Sequence, residues 1–120
     1  MKKEAKKKLG IYIHIPFCIR KCLYCDFLSA SAAKQEQERY LKALCREIET
    51  ESRRYSDYEV QTVYLGGGTP SVFPGSWIER ILDTLYRQYR IRKECEISME
   101  VNPGTLTGDK LRAYKRGGVN

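Results

Sequence analysis

The sequence lacks any long run of apolar residues. None of its hydrophobic stretches approaches the roughly 20 residues that a membrane-spanning helix needs, and its first residues lack the apolar segment of a secretory signal. Internal repeats and low-complexity linkers are absent as well, which excludes solenoid architectures. We therefore expect one small cytoplasmic domain, not integral to a membrane, within these 120 residues.

Acidic side chains are scarce relative to basic ones, with 15 Asp and Glu against 22 Lys and Arg, and a net charge of +7. Much of this excess comes from residues 1–8, "MKKEAKKK", with five Lys and one Glu. We predict that residues 1–9 form a flexible basic tail. No aromatic residue interrupts the basic run, as a single-strand binding platform would require, so we expect no specific nucleic-acid partner.

Cysteine is not scarce, and three of the five cysteines, Cys18, Cys22 and Cys25, lie close together in "HIPFCIRKCLYCDF". In a reducing compartment such a cluster favours metal binding over disulfides. Three thiolates could hold an iron–sulfur cluster that keeps one iron open to a small molecule. Alternatively, His14 could complete a zinc site. The residues alone leave both alternatives open.

Hydrophobic periodicity predicts alternating strands and helices. Strands are expected at 9–15, 60–66 and 96–101, and helices at 32–55, from about residue 76, and after Thr107. This βαβαβα order implies an α/β fold with a parallel sheet and outer helices. Three such units cannot close a barrel, so we expect 10–120 to be the N-terminal part of a longer domain.

Local signals predict how several elements begin, end and pack. Ser76 and Glu79 fit a capping box at the start of the second helix, and Thr107 is the expected N-cap of the third. The buried face of the second helix is expected to include the following residues: Trp77, Ile78, Ile81, Leu82, Leu85 and Tyr86. The remaining cysteines, Cys45 and Cys95, lie on apolar faces and are expected to be buried rather than to bind metal.

Three unusual segments follow the three predicted strands. "CIRKCLYC" follows the first strand, "GGGTPS" the second, and "EVNPG" ends the third. Ligands of parallel α/β folds bind at the carboxyl ends of the strands. The segments should therefore meet there and form one site.

With these motifs in order, the chain resembles the radical S-adenosylmethionine (radical SAM) superfamily. "YIHIPFCIRKCLYCDF", "VYLGGGTPS" and "EISMEVNPGTL" resemble, more narrowly, the oxygen-independent coproporphyrinogen III oxidase-like group and its heme-chaperone branch. The resemblance implies the N-terminal half of a partial (β/α)6 radical SAM barrel. It also implies a [4Fe-4S] cluster on the three clustered cysteines and bound S-adenosylmethionine, whose reductive cleavage yields a 5′-deoxyadenosyl radical.

The resemblance also implies roles for other residues. The glycine loop would line the methionine end of S-adenosylmethionine, and Glu100 would contact the same ligand. The expected cofactor-binding residues are Tyr12, His14, Tyr24, Gly66, Gly67, Gly68, Thr69 and Glu100.

One departure separates this chain from the oxidases, which resemble one another in carrying a further cysteine just after the third ligand. Here Asp26 and Phe27 follow Cys25, as in the heme-chaperone branch. We therefore expect a protein that binds heme as cargo and passes it to acceptor proteins. The alternatives are the oxidase itself, possible for a full-length form but not expected of this fragment, and a zinc-binding structural module.

Overall fold

The computed structural model describes residues 7–17 and 27–120, which form a three-stranded parallel sheet with intervening helices. The strands are β1 (Lys7–Ile15), β2 (Tyr58–Gly67) and β3 (Ile91–Met99), in the spatial order β1-β2-β3. The helices are α1 (Phe27–Glu51), α2 (Gly75–Gln88) and α3 (Gly108–Gly117). The predicted α/β class is confirmed. Among the described helices, none is long and apolar enough to cross a membrane.

The strand alternation decides which side of the sheet carries the core. Ile13, Ile15 and Leu65 are buried, whereas the intervening Tyr12 and Tyr64 are exposed, because successive side chains of a strand point to opposite faces. The helices supply the rest of the core from their apolar stripes. Their main buried residues are Leu41, Cys45, Ile48, Ile78, Ile81, Leu82, Leu85 and Tyr114. Cys45 and Cys95 are both buried, as predicted.

Two elements begin earlier than the periodicity indicates. β1 takes in residues 7–9, which we assigned to the tail, because Lys7 pairs with Tyr58 and its N–H donates to the Asp57 carbonyl at 3.3 Å. α1 begins at Phe27 rather than at residue 32. It ends at Glu51, and a 3₁₀ turn, Ser52–Tyr55, replaces the predicted last turn.

The expected capping box at α2 is wrong. The helix begins at Gly75 with Pro74 as its N-cap, so Ser76 lies inside the first turn and no side chain caps the helix. Glu79 instead pairs with Arg116 of α3, with 3.0 Å between Oε1 and Nη2. The prediction that Tyr86 is buried is also wrong, since it is 49% exposed. Its side chain lies at the edge of the helix face that packs on α3 and the sheet.

The third strand is longer at its start and shorter at its end than predicted. β3 begins at Ile91 and ends at Met99, so Glu100 and Val101 follow the strand. Val101 is 43% exposed and does not continue the buried side of Ile97. The turn at Asn102, whose side chain accepts a hydrogen bond from the Gly104 N–H, ends the extended segment.

The end of α3 brings the chain back to the sheet. Gly118 has a φ of 108° and closes the helix, with its N–H and that of Val119 bonding to the Tyr114 carbonyl, an arrangement that favours glycine. The Asn120 N–H then donates to the Ile97 carbonyl at 2.9 Å, and its side chain bonds to the β3 backbone. Asn120 therefore lies along the edge of β3 that faces away from β2.

Replacing Thr107 with alanine is expected to lower the free energy of unfolding by about 1 kcal/mol. Thr107 Oγ1 accepts a hydrogen bond from the Lys110 N–H at 3.1 Å and so satisfies one free N–H of α3. Urea denaturation followed by circular dichroism measures the change. Thr107→Ser keeps the acceptor and should stay near wild type; equal losses in both variants would show that the cap contributes nothing.

Candidate functional site

A row of polar and aromatic side chains crosses the sheet face opposite the core. The register pairs Tyr12 with Tyr64 and His14 with Gly66. The rings of Tyr12 and Tyr64 stack with centroids 5.9 Å apart, and the Tyr12 hydroxyl lies 3.1 Å from His14 Nδ1. The two tyrosines are 54% and 40% exposed. Their hydroxyl groups and the imidazole are thus accessible at the carboxyl ends of β1 and β2.

Glu100 joins this row from the end of β3. Its N–H donates to the Leu65 carbonyl at 2.9 Å, and its Oε1 accepts from the Gly67 N–H at 2.9 Å. These two bonds hold the Glu100 side chain over the end of β2. The exposed carboxylate is consequently positioned beside the glycine loop, "GGGTPS" at residues 66–71.

Glycine lets side chains of this row lie against the loop backbone at two positions, and the backbone conformation favours it strongly at the second. A Cβ on Gly66 would lie 2.7 Å from Glu100 Oε1, and a Cβ on Gly67 would lie 2.4 Å from His14 Nδ1. Gly67 also has a φ of 107°, which residues with a side chain rarely adopt. The loop therefore leaves only backbone between the carboxylate and the imidazole.

The next residues connect the glycine loop to the segment that leads into the cysteines. The Gly68 N–H donates to the Ile15 carbonyl at 2.8 Å, and the Thr69 N–H donates to the Phe17 carbonyl at 2.6 Å. A Cβ on Gly68 would lie 2.5 Å from the Phe17 carbonyl oxygen. The loop consequently packs backbone to backbone against the residues immediately before Cys18.

Aromatic packing holds Phe17 in place on the helix side of the sheet. Its ring meets that of Tyr40 edge to face, with centroids 5.4 Å apart, and lies 5.8 Å from that of Phe73. The Tyr40 hydroxyl also donates to the His14 carbonyl. These contacts fix the direction in which the chain leaves β1.

Four predicted site residues, Cys18, Cys22, Tyr24 and Cys25, lie outside the described residues. In the sequence, the stretch that carries them, here called the cysteine loop, lies between the end of β1 and the start of α1. Within 7–17 and 27–120, no three His, Cys, Asp or Glu side chains come together as a metal site. The iron–sulfur and zinc assignments therefore both remain predictions about the cysteine loop.

The structure brings together the other predicted residues, namely Tyr12, His14, Gly66, Gly67, Gly68, Thr69 and Glu100. It adds Tyr64, which the sequence analysis missed. The signal was present: Tyr64 lies two residues before Gly66, and therefore on the same strand face. Only the register shows that it stacks on Tyr12.

The Glu100 carboxylate, which accepts from the Tyr64 hydroxyl, raises the pKa of Tyr64; partial burial adds to the rise. Glu100→Gln is therefore expected to lower the pKa of Tyr64, because the neutral amide no longer opposes the phenolate. The measurement is the near-ultraviolet absorbance of tyrosinate during an alkaline titration. The variant should differ from wild type by the titration of one tyrosine, and this difference should vanish in a Tyr64→Phe background. A difference that persists without Tyr64 would contradict the pairing.

A separate groove lies elsewhere on the described surface. It encloses about 410 Å³ between α2 and α3 and is lined by Glu79, Arg80, Asp83, Tyr86, Arg116 and Gly117. It contains no predicted site residue and no glycine–carboxylate contact of the kind seen at Gly67. We therefore place the candidate site at the strand ends, because of the residues found there rather than because of a cavity volume.

Comparison with known proteins agrees with the family that the sequence motifs resemble. Residues 12–120 match the Radical SAM superfamily model. "Heme chaperone HemW" of Escherichia coli K12 is 38% identical over 113 residues, and that of Synechocystis is 40% identical over 115. These alignments cover 93% and 91% of this chain but only 30% and 27% of the relatives. The chain thus spans less than a third of their length.

A solved structure shows the same fold. Coproporphyrinogen III oxidase (HemN) from Escherichia coli, described as a radical SAM enzyme, superposes with a TM-score of 0.77 at 29% identity. The match covers 96% of this chain and 26% of that protein. The three βα units correspond to the N-terminal portion of the HemN radical SAM fold.

Proposed function

This chain belongs to the radical SAM superfamily, and from that premise we propose that Cys18, Cys22 and Cys25 hold a [4Fe-4S] cluster beside a site for S-adenosylmethionine. When bound, the reduced cluster supplies the electron that cleaves the sulfonium of S-adenosylmethionine. The observation that carries the proposal is the 2.9 Å bond between the Gly67 N–H and Glu100 Oε1. It joins two of the three motifs, the glycine loop at the end of β2 and Glu100 at the end of β3.

The described residues fit the amino-acid part of such a ligand. Gly66 and Gly67 have no side chain, so the Glu100 carboxylate and the His14 imidazole lie directly against the loop backbone, where both face the same exposed surface. The exposed Glu100 carboxylate suits an ammonium or ribose hydroxyl group. The bond between Thr69 N–H and the Phe17 carbonyl ties this ligand-binding loop to the start of the cysteine loop. In this way the chain can hold the methionine end and the cluster in a fixed relation.

Anaerobic reconstitution with iron and sulfide tests the first half of this proposal. Full-length protein should bind about four irons per chain, and adding S-adenosylmethionine should change the electron paramagnetic resonance (EPR) spectrum of the reduced cluster. S-adenosylhomocysteine, which lacks the sulfonium, is the matched control ligand for cleavage. An EPR spectrum that does not change when S-adenosylmethionine is added would refute the proposal that one iron of the cluster is open to this ligand.

We further propose that the whole protein is a cytoplasmic heme chaperone, which binds heme and delivers it to acceptor proteins. Two observations support this assignment. The relatives at 38% and 40% identity carry that name, and Asp26 and Phe27 follow the third cysteine where the oxidases resemble one another in having a further cysteine. Heme-contacting residues are expected beyond the described site.

The second candidate is the oxidase, favoured by the fold shared with HemN. One experiment separates the two: full-length reconstituted protein is given either hemin or coproporphyrinogen III. The chaperone should show a stable heme absorbance band and transfer heme to an apo-acceptor, without forming protoporphyrinogen. Turnover of coproporphyrinogen III at enzymatic rates would replace the chaperone assignment with the oxidase.

A further inference from the structure

Lys110 makes an unusual contact for a lysine in the first turn of a helix. A cation there opposes the helix dipole, yet the Lys110 side chain is half-buried and bonds to two loop carbonyls. Its Nζ donates to the Ser71 carbonyl at 2.7 Å and to the Thr105 carbonyl at 2.9 Å. These carbonyls belong to the loops that follow β2 and β3, so one amine spans both.

Ser71 makes a second connection between the same loops. It is fully buried, at 0% exposure, and its Oγ accepts from the Asn102 N–H at 3.0 Å. Thr105 Oγ1 donates its only hydrogen to the Asn102 carbonyl at 2.8 Å. The short contact between the Ser71 and Thr105 hydroxyls must therefore be a donation from Ser71. Ser71 thus uses its hydroxyl hydrogen and an acceptor position within the two loops.

These contacts lie directly behind the candidate site. Ser71 ends the glycine loop, and Asn102 is two residues beyond Glu100. The separation between the glycine backbone and the Glu100 carboxylate is consequently set both at the site, by the Gly67–Glu100 bond, and behind it, by Lys110 and Ser71.

We propose that Lys110 and Ser71 are positioning residues that couple the glycine loop to residues 100–105, the loop that follows β3. This coupling sets the affinity of the site for S-adenosylmethionine. The inference rests on the proposed function for its ligand, but its mechanical part stands on these contacts alone. The two loops move as one unit while the Lys110 amine and the Ser71 hydroxyl are present. Loss of either weakens the connection behind the site, leaves the Gly67–Glu100 bond in place, and removes no group that faces the ligand.

The test compares Lys110→Met, which keeps the length of the side chain and removes its donors, with Lys110→Arg, which restores donors. Lys115→Met is the matched control, since Lys115 lies on the same helix and is exposed. Amide hydrogen exchange is measured at Gly67 and Asn102 in full-length protein without ligand. Lys110→Met should speed exchange about tenfold, as expected from the loss of a charge-assisted hydrogen bond; Lys110→Arg should recover most of the protection, and Lys115→Met should change nothing.

The same variants are then reconstituted, and the dissociation constant of S-adenosylmethionine is measured by titration of the EPR spectrum. Lys110→Met should weaken binding about tenfold at unchanged iron content. Unchanged exchange and affinity would overturn the proposal, as would weaker binding that Lys110→Arg does not restore. If the wild-type protein binds no S-adenosylmethionine, both the proposed effect on affinity and the proposed function are wrong. The amide exchange rates then still test whether Lys110 couples the two loops.

Thr105→Val provides a second variant in case Lys110→Met does not fold. It removes the Thr105 hydroxyl, which receives the Ser71 hydrogen and donates to the Asn102 carbonyl, and it keeps the shape of the side chain and the carbonyl that Lys110 contacts. It should raise exchange at Asn102 more than at Gly67. Exchange at both positions equal to wild type would overturn the role of Ser71.

Discussion

Alanine in place of Cys22 is expected to abolish the iron–sulfur cluster, lowering the iron bound after reconstitution from about four per chain to nearly none. Two thiolates cannot replace the three that hold such a cluster with one open iron. Iron and sulfide analysis together with the visible absorbance measures the loss in full-length protein. Cys18→Ala and Cys25→Ala should behave in the same way.

The chain provides its own matched control for this change. Cys45 is buried in α1, away from the strand ends, so Cys45→Ala should keep the full iron content while costing some stability. If the Cys22→Ala variant retained its iron, the cysteine loop would not be the segment that holds the cluster. Bound zinc in place of iron, with unfolding of the Cys22 variant, would establish the zinc module that His14 could complete.

The second large effect is expected at Gly67, where alanine should remove binding of S-adenosylmethionine and destabilise the fold. A Cβ there would stand 2.4 Å from His14 Nδ1. The backbone φ of 107° adds a penalty of at least about 1–2 kcal/mol for a residue with a side chain. Relief of the clash must move either the imidazole, which faces the site, or the loop, whose movement disturbs the Gly67–Glu100 bond.

Titration of the EPR spectrum measures the loss of binding, and thermal unfolding measures the loss of stability. Gly108→Ala is the control, because a Cβ there meets the flexible Arg112 side chain at an ordinary 3.4 Å and φ is not positive. That variant should bind normally and unfold at or above the wild-type temperature. Normal binding by Gly67→Ala would show that the glycine loop lies apart from the ligand.

Hydrophobic periodicity predicted which elements are helices and which are strands, because burial of one face places apolar residues at a regular spacing. The stripe of Leu41, Cys45 and Ile48 predicted α1, and the alternation of Ile11, Ile13 and Ile15 with polar residues predicted β1. Element ends were less predictable. Residues 7–9 carry two lysines, yet they extend β1 because β2 offers them hydrogen-bond partners.

Local motifs also failed where a distant partner competed. Ser76 and Glu79 have the spacing of a capping box, but Arg116 of α3 pairs with the Glu79 carboxylate. The helix then begins at Gly75, with Pro74 as an N-cap that offers no side-chain hydrogen bond. A pattern within four residues could not include a cation 37 positions away.

The amino-acid pattern alone predicted the α/β class, the order of the three βα units and a meeting of three motifs at the strand ends, because alternating burial and parallel crossovers leave few other arrangements. The contacts between the motifs came from the fold of the chain. It placed Tyr64 against Tyr12, closed Glu100 onto the Gly67 N–H, and brought Lys110 back over Ser71 and Thr105. These contacts depend on strand register and on the path of the returning helix, which no single stretch of sequence contains.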